Sequence, residues 1–219
     1  AVSRLIAAHP KLKVRALLAD PREVVRVVLA RSADVGLVDM QCLGGQTDLV
    51  AEAMPRHDFV MAGRPGHPLA GRAGLRLAEV LAFPMASTLI VNEVVTAAVA
   101  SGDTSDLLDA DHGELIPAIH VNSYALARQI ACDTDALVPG TARMLAPELS
   151  AGRLACLEFH MPGLRTNYAL IHRQDRSLSP AARAFVELVR AVEAEVVATE
   201  IHAATPARRR VRSKYPGVK

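Results

Sequence analysis

The chain of 219 residues is 51% hydrophobic and 22% charged but only 3% aromatic, with no Trp, so a core must be built from Ala, Val and Leu. This composition excludes disorder over the whole length, and the length suits one or two domains. Six of the 25 basic residues lie within 205–219, so residues 1–204 hold 19 basic against 23 acidic side chains. An acidic body offers no phosphate-neutralising stripe, and contact with DNA would have to come from another segment.

In chain order, Val2, Leu5 and Ile6 recur at helical spacing, with nothing before them to cap a helix. Lys13 to Leu18 reads as a short strand. Asp20, Pro21, Arg22 and Glu23 supply an N-cap, a first-turn proline and an acidic N3 residue, opening a helix to about Arg31. Val35 to Val38 reads as a buried strand, and strand, helix, strand in this space predicts a βαβ unit with parallel pairing. His57 to Gly63 is another strand, ended by Arg64-Pro65-Gly66-His67-Pro68. A second α/β series follows, with a helix near Leu77 to Leu81, a strand near Pro84 to Thr88, a weakly patterned stretch from Glu93 to Ala100 and a polar loop from Ser101 to Glu114. Its second part holds a strand at Ile116 to Val121, a helix capped by Asn122-Ser123, a buried strand at Ala136 to Val138, a helix from Arg143 to Ser150 stopped by Gly152, and an extended Leu154 to Leu157. Tyr168 to His172 is one more strand, and Ser179-Pro180 opens a closing helix with Phe185, Val189, Val192 and Val196 on one face. Beyond about Ile201 the Arg-rich tail has no apolar period and is expected to be disordered.

Chemistry-bearing motifs are few. There is no Gly-x-Ser-x-Gly elbow, Walker-type phosphate loop, Gly-x-Gly-x-x-Gly fingerprint or His-Glu-x-x-His helix. The eight histidines never stand two or four residues apart, and they read as surface or hinge residues. Asp103, Asp106, Asp109 and Asp111 lie in a loop without the glycine turn and closing Glu of a calcium site, so they read as a solvated loop. Neither a metal nor another cofactor is expected. Cys42, Cys132 and Cys156 are odd in number and form no Cys-x-x-Cys pair, which points to a reducing compartment. Cys132 reads as a small core residue, with no Lys, Arg or His beside it in sequence to activate the thiol. No secretory signal opens the chain, and the charge-free run from Val80 to Val91 is too short to cross a bilayer.

One set of mostly polar residues recurs at strand-to-helix junctions: Asp20 and Arg22, then Ser87 and Thr88, then Asn122 and Ser123, then Gly140 and Thr141 after Pro139. In open α/β sheets, ligands bind beyond the carboxyl ends of the strands, where helix N-termini aim N–H groups at them. Hydroxyl and amide groups at such junctions suit a small anion. Each residue is also an ordinary helix cap, and the functional reading rests on the four junctions together.

Leu5 to Leu18, Val28 to Val38 with Asp34, Gly66 to Ala70 with the following Leu-Ala-Glu-Val-Leu-Ala-Phe-Pro, Ala146 to Leu154 and Leu178 to Phe185 together resemble the effector-binding domain of LysR-type transcriptional regulators, from Leu5 to about Val197. The resemblance implies an α/β chain with a type 2 periplasmic-binding-protein fold, two Rossmann-like subdomains joined by two crossing strands. Subdomain I would be residues 1–62 and 167–200 without its first strand, subdomain II residues 63–166, and 201–219 a basic tail. The crossings would lie near Met61 to Arg64 and Asn167 to Ala169.

A small effector, with an organic or aromatic acid favoured, would sit between Asp20, Pro21 and Arg22 on one side and Ser87, Thr88, Asn122, Ser123 and Gly140 on the other. The resemblance further implies a cytoplasmic homodimer or tetramer, with Val2 to Ala8 and Lys13 to Leu18 at the dimer surface. DNA would be reached only through a helix-turn-helix domain that this fragment lacks, and no membrane is involved. Pro21 stands where the family usually has Ser or Thr, and Asp133-Thr134-Asp135 where it often has Gly-x-Gly. Two alternatives share the fold: an extracytoplasmic solute-binding protein, and an enzyme using Asp20, Asp133 or Asp135 as acid or base.

Overall fold

The computed structural model describes residues 1–88, 116–160 and 163–204, with side chains to residue 200. The stretch 93–100, the aspartate loop of 101–114 and the basic tail of 205–219 lie outside the described residues.

The first sheet has strand order β1-β8-β2, with β1 Gly36–Asp39, β2 Leu49–Ala53 and β8 Tyr168–Arg173, all antiparallel. On it packs α2, Pro21–Leu29, started as expected by Asp20, whose carboxylate accepts from the Arg22 N–H at 3.0 Å. Val25 and Val28 face Val38, Ala169 and Ile171, and Val28, Ala169 and Ile171 are fully buried. Each of these Val and Ile side chains is worth about 1.5–3 kcal/mol of burial. Helix α1, Val2–Ala8, buries Leu5 and is tied to the closing helix α6, Pro180–Ala204, by the Arg4–Glu195 ion pair at 2.6 Å. Ser179 caps α6, its hydroxyl accepting from the Ala182 N–H, and the helix packs Val186 and Val189 on Leu170.

The second sheet has strand order β6-β3-β7, with β3 Phe59–Gly63, β6 Val138–Thr141 and β7 Ala155–Cys156, again antiparallel. Beside it, β4 Ala86–Ser87 and β5 Ile119–His120 pair in parallel, and a parallel bridge from Met85 to Leu137 joins them to the start of β6. Helices α3 Leu77–Leu81, α4 Tyr124–Asp133 and α5 Ala142–Ser150 belong to this half. Gly152, at φ +66°, closes α5 in the left-handed conformation that glycine adopts without strain.

Residues 54–58 and 164–167 connect the sheets as an antiparallel pair. Asp58 bridges Arg165, and His57 and Thr166 are joined backbone to backbone by the Thr166 N–H and His57 carbonyl at 2.9 Å. Among the described residues, four buried clusters form the core, two built around the first sheet and two around the second.

Several expectations are corrected. Lys13 to Leu18 is exposed and forms no strand: among the described residues no strand lies beside it, and an unpaired segment gains no ladder bonds. The βαβ unit with parallel pairing therefore does not form, and β1 instead pairs antiparallel with β8, 135 positions away at Gly36 and Ile171. Strand β2 and the 3-10 helix Met40–Leu43 carry too little periodicity to be read from sequence. Helix α6 runs through Ala204, past the end of its apolar period, as Ala and Glu are strong helix formers. His67 is a core residue rather than a surface or hinge one: Nδ1 accepts from the Leu69 N–H, Nε2 lies 3.2 Å from the Asp135 carbonyl, and the ring packs edge-on to Phe83.

Candidate functional site

The parallel arrangement of β4, β5 and the start of β6 puts three carboxyl ends on one edge. Ser87 pairs with His120, and its carbonyl accepts from the Val121 N–H at 3.0 Å. The chain then turns at Asn122-Ser123 into α4, whose N-terminus opens at that edge. The Ala86 N–H bonds the Leu137 carbonyl at 2.8 Å, which brings Val138 to Gly140 alongside. The structure thus gathers Ser87, Thr88, Asn122, Ser123 and Gly140 at neighbouring strand ends. Ser87 is buried, Thr88 and Ser123 are half-buried, and Asn122 is exposed. Ser123 is the N-cap of α4 but makes no side-chain cap bond, so its hydroxyl is not consumed by the helix.

Asp20, Pro21 and Arg22 sit instead at the start of α2, whose packing partners are β1, β8 and the 3-10 helix of the first sheet. Asp20 and Arg22 are exposed there and Pro21 is half-buried.

Two residues of this half are not singled out by the sequence, Tyr124 and Arg128, while Thr141 is named at its junction. Tyr124, the first residue of α4, donates its hydroxyl to the Pro139 carbonyl at 2.8 Å and occupies the space beside Gly140. Burial pushes its phenol far above the ordinary value. Thr141 is buried and caps α5, accepting from the Met144 N–H. Arg128, one turn beyond Tyr124, reaches the buried Glu148 at 2.9 Å and lies over the Tyr124 ring, 5.7 Å from its centroid. An aromatic residue directly after an Asn-Ser cap was the one local signal available.

The carboxylates considered for acid–base chemistry are engaged in surface structure. Asp135 pairs with Arg64 at 2.7 Å, Asp133 accepts from Gln129 at 2.6 Å, and Asp20 caps α2. Burial pushes the Cys132 thiol up, against the nearby Arg153 charge, so it is not an activated nucleophile. Arg153 is a basic neighbour that only the fold supplies. Among the described residues, no group of three or more His, Cys, Asp and Glu could hold a metal ion, and no helix is long and apolar enough to cross a membrane. A shallow depression elsewhere is lined by Arg31, Asp34, Arg173, Arg176 and Ser179 and includes none of the expected site residues. Two of its arginines already pair with Asp175.

The model of the LysR substrate binding domain matches residues 1–194. The SDS degradation transcriptional activation protein of a Pseudomonas species is 29% identical over 194 residues, 86% of this chain and 60% of that protein. The HTH-type transcriptional regulator GalR of Pseudomonas putida is 28% identical over 205 residues, 89% of this chain and 48% of that protein. The chain therefore spans about half to three fifths of the length of these relatives. The regulatory domain of CcmR from Synechocystis PCC6803, solved in complex with 2-PG, shares the fold with a TM-score of 0.61 at 14% identity, over 88% of each chain. The fold is thus the α/β, type 2 periplasmic-binding-protein kind, in a family of regulatory domains rather than enzymes. The chain belongs to the LysR substrate-binding domain family.

Proposed function

We propose that this chain is the effector-sensing domain of a LysR-type transcriptional regulator, and that its effector is a small anion, an organic or aromatic acid. The observation that carries the reading is the convergence of Ser87, Thr88, Asn122, Ser123 and Gly140 at the carboxyl ends of parallel strands, beside the N-terminus of α4. Backbone N–H groups and a hydroxyl not used in capping suit a carboxylate there. The start of α2, with Asp20, Pro21 and Arg22, would supply the opposing wall. The two pairs of core clusters support two subdomains, 1–62 with 167–200 and 63–166, whose relative angle the effector biases by binding one arrangement more tightly. The names of the curated relatives support a role in transcription within a longer protein, and we read that protein as a cytoplasmic homodimer or tetramer that reaches DNA through another segment.

The test is a thermal-shift screen of small organic and aromatic carboxylates against their neutral amides, on the wild-type chain and on Ser123→Trp. A stabilising carboxylate whose amide is silent, and whose shift disappears in S123W at unchanged intrinsic Tm, supports the site. An undiminished shift in S123W removes Ser123 from it, and equal shifts by the amides remove the anionic effector.

A further inference from the structure

His57 lies in the segment that carries the chain from β2 to β3, and it is 8% exposed. Its main chain is fixed by Thr166 from both directions: the Thr166 Oγ1 accepts from the His57 N–H at 2.9 Å, and the Thr166 N–H donates to the His57 carbonyl at 2.9 Å. Its ring is held by α6. Nδ1 stands 2.8 Å from a carboxylate oxygen of Glu200, and Nε2 stands 2.9 Å from one of Glu193, two turns earlier on the same helix. Ionised carboxylates only accept hydrogen bonds, so both ring nitrogens must donate, and only the imidazolium carries two N–H groups.

We propose that His57 is a proton-dependent clamp, which as an imidazolium ties the C-terminal half of α6 to the paired segments connecting the two sheets. Helix α6 is anchored to the first sheet by Val186 and Val189 on Leu170 and by the Arg190–Glu52 pair. Met54, at the start of the connector, packs against the same cluster, and the His57 contacts carry the helix's hold further along the connectors to its C-terminal half. A neutral ring keeps one donor, so one of the two carboxylates then faces a lone pair at under 3 Å and must withdraw. Both glutamates can do so, since their side chains are 28% and 40% exposed.

The other charged groups at this junction have hydrogen-bond partners of their own. Asp58 on the same segment pairs with Arg165 on the returning one, Arg165 also feels the Glu200 charge, and Arg56 donates to Asn167. Burial opposes charging of His57, but Glu200 and Glu193 outweigh it and raise its pKa above the ordinary 6.5. A raised histidine gives its stabilisation in full below the unfolded value and loses it as pH rises through the folded value. The clamp therefore holds in mild acid and opens on the alkaline side of 6.5. This inference goes beyond the sensing role and does not depend on the effector site.

The experiment is native-state hydrogen exchange, expressed as protection factors for residues 190–204, with the ring protonation of His57 followed by nitrogen NMR between about pH 5.5 and 8.5. In the wild-type chain, protection of this stretch falls by up to about tenfold per pH unit between 6.5 and the higher His57 midpoint, the slope of one released proton, and levels off above that midpoint. In Glu193→Gln the amide of the new side chain can donate to a neutral ring while Nδ1–H still donates to Glu200, so the fall of protection with pH becomes shallower. In His57→Gln the pH step disappears, and E193Q carries the test alone should H57Q not fold. Wild-type protection that is constant across the range, or an E193Q profile identical to wild type, overturns the clamp.

Discussion

The hydroxyl of Tyr124 stands where a side chain on Gly140 would begin, and from there it bonds the Pro139 carbonyl. Two residues from different elements thus share one volume at the edge where the expected effector groups gather. Gly140→Ala should force the phenol aside and break that bond, costing about 1–3 kcal/mol for an unsatisfied buried carbonyl. Urea unfolding measures it. In a Tyr124→Phe background the alanine should cost clearly less, because the hydroxyl it collides with is gone; strict additivity would refute the shared-volume account.

Glu148 is 7% exposed and receives Arg128 at 2.9 Å and Arg153 at 3.2 Å. Glu148→Leu should destabilise by about 3–5 kcal/mol, since it leaves the partly buried Arg128 without its counter-charge. The double variant Arg128→Met, Glu148→Leu should recover most of that loss in chemical denaturation. Recovery is the informative outcome, because it separates the cost of an orphaned charge from any net worth of the pair.

Asp20 closes the first turn of α2 by accepting from the Arg22 N–H. Asp20→Ala should lower stability by about 0.5–2 kcal/mol, the usual cost of a lost N-cap, and Asp20→Ser should restore most of it. Thermal unfolding compares the three chains. A serine variant that recovers stability but not effector binding would assign the carboxylate a second role at the site.

Asp175 is held at about 2 by its hydrogen bonds and charge contact with Arg173, with Arg31 nearby. A carboxylate depressed in this way stabilises the fold above its ordinary value of 3.8 and loses that contribution as pH falls towards 2. Asp175→Asn should therefore flatten the stability profile in that window and leave the slope near neutral pH unchanged. The group is exposed, so the effect is small and screened by salt, and a profile in low salt shows it best.

Helices were legible in the sequence because their determinants are local. The Asp20-Pro21 start, the Ser179 cap, the Gly152 stop and the i, i+4 apolar spacing all act within one or two turns, and the folded chain uses each of them. The five candidate residues near β4, β5 and β6 could likewise be named from their junctions. Strand pairing could not be read this way. Lys13 to Leu18 has a strand-like composition but, among the described residues, no strand beside it, while β2, with no clear alternation, finds β8 and forms a full ladder.

By itself the sequence determined the helix positions, the acidic body, the absence of the common catalytic motifs and the family, because those rest on residue types at short spacing. The tertiary structure alone decided the antiparallel pairing of β1 with β8, the cover of Gly140 by Tyr124, and the burial of His57 between two glutamates 136 and 143 positions away. Such contacts depend on which surfaces meet once the core has closed. A histidine and a glutamate far apart in the chain carry no mark of each other until packing removes the water between them.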